Sequence, residues 1–275
     1  MTPHPFTDLT TITAFDAGTY TATIDPVWTI GPKVHGGCMM AVCAAAAQRC
    51  LPDAAELAPI ALSANYLNAP DPGEVVLTTT VRKRGRQVNL VQVELSQHGR
   101  AAVTCSVTLG PVDAKPPRHQ VPLAASAMAV EPPADAVRVT PEHPMGQIVH
   151  VAQGCDLRMD GATPFLTGTE GEPVTRMWLR PFASDEADSN VALLFALMAG
   201  DITPPVTMNL GHFGWTPTVQ LTTYLRHRPA PGWLRVMASS TVIGNSWFEE
   251  DHLILDANGE VVVQSRQLAM LPLGS

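Results

Sequence analysis

The sequence is poor in positive charge and has no paired cysteines. Its 275 residues carry a net charge of −8 at neutral pH, whereas nucleic acids and anionic membranes are bound by clustered Lys and Arg side chains. We therefore expect no general affinity for either partner. The five cysteines are odd in number and include no Cys-x-x-Cys pair, so neither a disulfide framework nor a zinc knuckle is indicated.

Several catalytic and targeting signatures are also missing. The chain has no Gly-x-Ser-x-Gly turn, no phosphate-binding loop and no His-Glu-x-x-His motif, and its nine histidines lack metal-ligand spacing. We therefore expect neither a metal nor another cofactor. Residues 1–9 lack a basic segment followed by an apolar core, and no apolar run reaches the ~18 residues of a membrane span. The sequence predicts a cytoplasmic protein.

What the sequence does contain is an internal repeat. Four landmarks of the first half return in the same order 158 to 160 residues later: Asn65-Tyr-Leu as Thr223-Tyr-Leu, Gly73 as Gly232, Gly85 as Gly244, and Gly99 as Gly259. Runs rich in Val, Leu and Thr lie between these glycines, as is typical of β-strands: 74–82, 88–97 and 101–109, then 233–242, 247–255 and 260–270. Each half is predicted to end in an antiparallel meander.

One helix is predicted ahead of each meander, over residues 37–50 and 188–200. The first is apolar on every face, which favours a helix surrounded by protein. A curved antiparallel sheet wrapped around one buried helix is the hotdog arrangement. The sequence thus predicts an α+β fold of two tandem hotdog units, residues 1–110 and 174–275. A proline-rich, extended connector is predicted to join them over 111–173.

These features resemble the bacterial acyl-CoA thioesterase II family, whose members are double hotdogs that hydrolyse fatty acyl-CoA. The likeness covers about residues 15–109 and 177–271. It rests on the order of short motifs, including Val34-His-Gly-Gly, Arg84-Gly-Arg, Asp256-Ala-Asn-Gly and Ser265-Arg-Gln-Leu-Ala. The resemblance implies hydrolysis of a medium- or long-chain acyl-CoA to a fatty acid and CoA. It also implies association into a homodimer or a larger homo-oligomer.

The family's catalytic set is an aspartate, a threonine and a glutamine that together hold the attacking water. By position, the threonine and the glutamine correspond to Thr241 and Gln267, which match. The aspartate corresponds to Gln220, which departs from the family pattern. An amide orients water but cannot accept its proton, so the sequence predicts that the general base is missing or has moved.

Three alternatives stay open for the general base. His35 would be a neutral base beside a helix N-terminus, although lone histidines in loops are more commonly solvated than catalytic. Glu250 or Asp251 would supply a carboxylate, although paired acids beside a hairpin are commonly solvated. In the third alternative the polar trio orients water against a reactive thioester without any base.

The glycine pair Gly36-Gly37 opens the first predicted helix. Attack on a thioester develops negative charge on the carbonyl oxygen, and free amides at a helix N-terminus stabilise such charge. We predict that Gly36 and Gly37 hold this oxygen and that His35 contacts the substrate; a tight turn without catalytic role is the alternative. The glycine pair belongs to the first half and the polar trio to the second, so one composite site per chain is predicted.

Two further features have two interpretations each. Arg82, Arg84 and Arg86 are predicted to bind the phosphates of CoA, with a solvated hairpin end as the alternative. Cys38 follows the glycine pair and is either a buried core residue or a nucleophile activated by the helix N-terminus.

Two other functions fit the sequence. One is an acyl-thioester binding protein without hydrolytic activity, which the departure at Gln220 suggests. The other is a hotdog enoyl-CoA hydratase, although no Asp and His pair is found at the positions usual for that enzyme class.

Overall fold

The computed structural model describes residues 4–54 and 56–272. Its strands are β1 (Thr13–Asp16), β2 (Thr19–Ile24), β3 (Thr29–Ile30), β4 (Lys33–Val34), β5 (Ala58–Tyr66), β6 (Gly73–Lys83), β7 (Asn89–Gln97), β8 (Arg100–Gly110), β9 (Val137–Arg138), β10 (Asp156–Met159), β11 (Val174–Arg180), β12 (Thr218–Leu225), β13 (Leu234–Ser239), β14 (Trp247–Leu255) and β15 (Val261–Met270). Its α-helices are α1 (Pro5–Thr10), α2 (Gly36–Arg49), α3 (Pro164–Thr167), α4 (Ala183–Glu186) and α5 (Ser189–Met198).

Within the described chain, thirteen strands form one antiparallel sheet in the order β1-β2-β6-β7-β8-β5-β12-β15-β14-β13-β11-β10-β9. The two halves of the sheet join where β5 pairs with β12. On either side of this junction the order is the same, β5-β8-β7-β6 and β12-β15-β14-β13, as the repeat predicts. The predicted α+β double hotdog is therefore confirmed.

The two central helices, α2 and α5, pack against each other on the inner side of this sheet. In α2 every residue from Gly37 to Ala47 is buried, and its small alanines allow strands β5, β7 and β8 to approach closely. The stretch Ser189–Leu210, which begins with α5, is long and apolar enough to cross a membrane. However, 72% of its most apolar window is buried inside the protein, as in the core helix of a soluble fold.

The segment 111–173 is more structured than the predicted extended connector. Strands β9 and β10 extend the sheet beyond β11, and Val151, Leu157 and Met159 are buried in the main core. The prolines are compatible with this packing because Pro144 and Pro164 begin short helical turns, where a fixed φ and a missing N–H cost little. The placement of the domain boundary in this segment stays a prediction.

Candidate active site

A cavity of about 770 Å³ lies between the N-terminus of α2 and the chain that follows α5. Both halves of the molecule contribute polar groups to its wall: His35, Gly36 and Tyr66 from the first, and Asp201, Thr218 and Gln267 from the second. Most of the remaining wall is apolar and includes Ile30, Met39, Met145, Met208, Phe213 and Trp215. Polar groups from both halves therefore meet at one apolar chamber.

Asp201 lies against the first turn of α2. Its carboxylate lies beside the backbone of Gly36 and Gly37, so a negative group occupies the positive end of the helix dipole. His35 Nε2 donates to the backbone carbonyl of Asp201 at 2.9 Å and lies 3.8 Å from its Oδ2. Burial raises the pKa of the Asp201 carboxyl, whereas His35 and the Gly37 N–H act to lower it.

The glycine pair is explained by this close packing. A Cβ atom on Gly36 would lie 2.6 Å from Asp201 Oδ2, and one on Gly37 would lie 2.6 Å from the carbonyl oxygen of Met198. Gly36 lines the cavity, but Gly37 is buried beside Asp201. Gly37 therefore lies against a carboxylate of the protein, and the role of its amide in binding the substrate oxygen stays a prediction.

Gln267 is held at both ends of its amide. Thr218 Oγ1 donates to Gln267 Oε1 at 2.7 Å, and Gln267 Nε2 donates to Glu250 Oε2. The other oxygen of Glu250 accepts the backbone N–H of Val206 at 2.6 Å. Burial raises the pKa of Glu250 to about 8. These two hydrogen bonds oppose that shift, and the charges of Asp201 and Glu249 add to it.

Gln220 and Thr241 do not join Gln267. A bulge in β12 lies between Thr218 and Gln220, so Thr218 lines the cavity whereas Gln220 lies on the outer face, bonded to Thr222 at 2.7 Å. Thr241 lies beyond the end of β13 and is exposed. The three side chains of the predicted trio therefore do not meet in this cavity. An aspartate and a threonine do accompany Gln267 in the cavity, but they are Asp201 and Thr218.

The predicted alternatives for the base occupy different places. His35 lines the cavity, but its Nε2 is bonded to the carbonyl of Asp201 and its buried Nδ1 has no hydrogen-bond partner in the described chain. Glu250 is fully buried rather than solvated, and it lies behind Gln267. Asp251 points outwards and pairs with Arg266 at 2.6 Å. Neither Glu250 nor Asp251 lines the cavity, whereas the carboxylate of Asp201 does.

The arginine cluster lies away from the cavity. Arg84 forms an exposed ion pair with Asp53, which follows the C-terminal end of α2. The cavity is at the other end of this 14-residue helix, which spans about 20 Å. Arg82 and Arg86 are exposed and do not line the cavity. Phosphate binding by the cluster stays a prediction, but the cluster is not part of the cavity wall.

Cys38 is fully buried in α2, and burial raises the pKa of its thiol well above its usual value. A buried thiol that keeps its proton is a poor nucleophile. The structure therefore agrees with the interpretation of Cys38 as a core residue.

Asp201 and Thr218 are the residues that the sequence interpretation missed. The sequence does contain a signal for Asp201, because this residue directly follows the second predicted helix and is the only acidic residue between Asp188 and Glu249. Thr218 carries no such signal, because only the bulge in β12 brings it to the inner face.

Comparison with known proteins gives matches along most of the chain. Residues 24–110 match the family model of an acyl-CoA thioesterase N-terminal domain, and residues 131–271 match that of an acyl-CoA thioesterase C-terminal domain. Uncharacterized proteins of Mycobacterium tuberculosis and Mycobacterium bovis are 44% identical to this chain over 269 residues, with 89% of this chain and 88% of each relative covered.

Solved structures share the fold over nearly the whole chain. A protein assigned as a thioesterase II from Thermobifida fusca superimposes with a TM-score of 0.84 at 28% identity, covering 99% of both chains. The acyl-CoA thioesterase II TesB2 from Mycobacterium marinum gives a TM-score of 0.70 at 15% identity, covering 98% of this chain and 100% of its own. At the latter identity the likeness concerns the fold alone.

Proposed function

Because the chain belongs to the acyl-CoA thioesterase family, we propose that it hydrolyses an acyl-CoA thioester with water held by Asp201, Thr218 and Gln267. The observation that carries this proposal is that a buried carboxylate, a hydroxyl and an amide line the same apolar cavity. Asp201 and Thr218 take the places that spacing along the sequence assigned to Gln220 and Thr241.

The directions of the hydrogen bonds dictate how water binds. The hydroxyl proton of Thr218 is donated to Gln267, so the Thr218 oxygen is left as an acceptor. The Asp201 carboxylate is also an acceptor. A water molecule between them donates one proton to each, and its free lone pair is directed at the thioester carbonyl carbon.

Asp201 then acts as the general base. A carboxyl whose pKa is raised by burial is a stronger base than an exposed aspartate. Asp201 removes a proton from water while the oxygen attacks the carbonyl carbon. The second Nε2 proton of Gln267 and the Gly36 amide donate to the developing oxyanion. When the carbon–sulfur bond breaks, the CoA thiolate leaves and takes the proton from Asp201.

The cavity favours an uncharged, medium- or long-chain acyl group. Among the described residues that line it, none is Lys or Arg, and the wall is mainly aliphatic, aromatic and methionine side chains. Each methylene buried there contributes about 0.8 kcal/mol, so longer chains bind more tightly until the cavity is filled. We place this activity in the cytoplasm and in a homodimer or a larger homo-oligomer, as the family resemblance implies.

A thiol-release assay across saturated acyl-CoAs from short to long tests the proposal. We expect kcat/KM to rise with chain length, and Asp201→Asn to lower kcat by about 10²- to 10⁴-fold because it removes the base. Asp251→Asn is the matched control, because Asp251 is an acid on the outer face, and it should keep full activity. Absence of thiol release across the whole panel would reject hydrolysis and favour the acyl-thioester binding protein.

A hydratase is the second candidate, because the structure does bring a His and an Asp together in the cavity. His35 Nε2 is 3.8 Å from Asp201 Oδ2. Hydration of an enoyl-CoA requires a histidine nitrogen that exchanges a proton with the substrate, whereas Nε2 is bonded to a backbone carbonyl and Nδ1 is buried. We therefore favour hydrolysis. Loss of enoyl absorbance on incubation with enoyl-CoA would favour the hydratase instead.

A further inference from the structure

Glu250 is a buried carboxylate that the proposed reaction does not use. It lies on β14 directly opposite Gln267 on β15, is fully buried, and does not line the cavity. Burying a carboxylate is unfavourable unless hydrogen bonds satisfy it. Glu250 is satisfied by the N–H of Val206 and by the amide of Gln267, so it is coupled directly to a proposed catalytic side chain.

The two partners of Glu250 constrain one another. The backbone N–H of Val206 is only a donor, so it requires an acceptor oxygen of Glu250. When Glu250 is ionised its second oxygen is also only an acceptor, and Gln267 must present its NH₂ group. The carbonyl oxygen of Gln267 is then directed at Thr218, which donates to it at 2.7 Å. This is the orientation found in the structure.

A protonated Glu250 has the opposite requirement. Its hydroxyl is a donor towards Gln267, which then has to rotate its amide to present Oε1. Gln267 Nε2 would then donate to Thr218, and the Thr218 hydroxyl proton would be directed at the water. Water would meet a donor at Thr218 in place of an acceptor, and its lone pair would be drawn away from the thioester carbon.

We propose that Glu250 is a positioning residue whose ionisation sets the amide orientation of Gln267 and, through it, the hydroxyl orientation of Thr218. The inference rests on the proposed hydrolysis, since it assigns a role behind the same site. Its consequence is an enzyme that is active when Glu250 is ionised and slow when Glu250 is protonated.

The surroundings of Glu250 place its titration near the alkaline side of neutrality. Burial raises its pKa to about 8, with smaller upward contributions from Asp201 and Glu249. His252 is also buried two residues along β14, but burial lowers its pKa to about 4, so it stays neutral over this range. The hydrogen-bond partners of Glu250, the Val206 N–H and the Gln267 amide, do not titrate.

Glu250→Gln tests the inference, because its amide mimics the protonated carboxyl. Its Oε1 accepts the Val206 N–H, and its NH₂ group forces Gln267 to rotate. We expect wild-type kcat to rise about tenfold or more as pH passes through 8, with KM changing less than about twofold. The variant should keep the low kcat without this rise. Glu249→Gln is the matched control, because Glu249 bonds the exposed hairpin amides of Thr241 and Val242. It should retain the rise in kcat, moved slightly to lower pH because the Glu249 charge adds to the raised pKa of Glu250.

A second measurement does not depend on activity. In protein labelled with ¹⁵N-glutamine, one side-chain N–H of Gln267, assigned by its absence in Gln267→Met, should move downfield as Glu250 ionises above pH 8. A shift that stays constant in wild type, or an identical pH response in a folded Glu250→Gln, would overturn the inference. If wild type releases no thiol, hydrolysis fails, and this spectrum alone decides the role of Glu250. If Glu250→Gln does not fold, the wild-type response decides.

Discussion

A single irregularity in β12 determines which of its side chains reaches the cavity. After the bulge the strand alternates regularly, with Leu221, Thr223 and Leu225 buried and Gln220 on the outer face. Without the bulge, Thr218 would share the outer face with Gln220, because side chains two residues apart lie on the same side of a strand. The bulge therefore replaces the amide of Gln220 by the hydroxyl of Thr218 in the site.

This placement predicts which substitutions affect hydrolysis. Thr218→Ala removes an acceptor for the attacking water and should lower kcat by about tenfold or more. Thr241→Ala lies outside the cavity and should keep kcat within about twofold of wild type. Gln220→Asp should likewise leave kcat unchanged, because a carboxylate on the outer face cannot reach the water. An increase in kcat with Gln220→Asp would contradict the assignment of the base to Asp201.

Part of the site could be predicted from the sequence and part could not. His35, Gly36 and Gln267 line the cavity, and the short motifs that contain them were sufficient to select them. Asp201 lies outside any such motif, and its position at the helix N-terminus depends on a contact between the two halves. Spacing along one chain does not predict a contact of that kind.

The limits of helices and strands predicted from the sequence agree with the structure where the elements are long. Helix α2 and helix α5 begin and end within two residues of the predicted limits, because each is a long apolar stretch bounded by polar residues. The six meander strands also lie within three residues of their predicted limits. Strands β9 and β10 have only two and four residues, too few to show a period among the surrounding prolines. Their pairing comes from the sheet edge that β11 provides.

The buried carboxyl of Glu250 on strand β14 should make the free energy of unfolding depend on pH. The folded protein holds this proton up to a pKa of about 8, whereas the usual value is 4.5. The contribution to stability is therefore full below pH 4.5 and is lost as pH rises towards 8. Glu250→Gln lacks this titrating group and should not lose stability in the same way. The free energy of unfolding of the variant minus that of wild type should therefore increase as pH rises from 4.5 to 8.

Urea unfolding of both proteins at a series of pH values measures this difference. Glu249→Gln should run nearly parallel to wild type, because Glu249 lies at the exposed hairpin and makes only a minor contribution to the pKa of Glu250. Parallel curves for Glu250→Gln and wild type would show that Glu250 is not protonated in the folded state at these pH values.

The whole molecule is a repeat in which the two halves have different roles at one site. The first half supplies the N-terminus of α2 with Gly36 and His35, and the second supplies Asp201, Thr218 and Gln267. The repeat places Val107 where the second half has Gln267, and Val107 is buried in the core. The pseudosymmetric position therefore lacks this polar group, and we expect one active site per chain.

The most direct test is a crystal structure of Asp201→Asn with an unhydrolysed long-chain acyl-CoA. We predict one ligand per chain, its acyl chain in the cavity between the halves and its thioester carbon facing Asn in place of Asp201, with Thr218 and Gln267 within reach of one water molecule. An acyl chain bound elsewhere, or a thioester separated from these three side chains, would contradict the account.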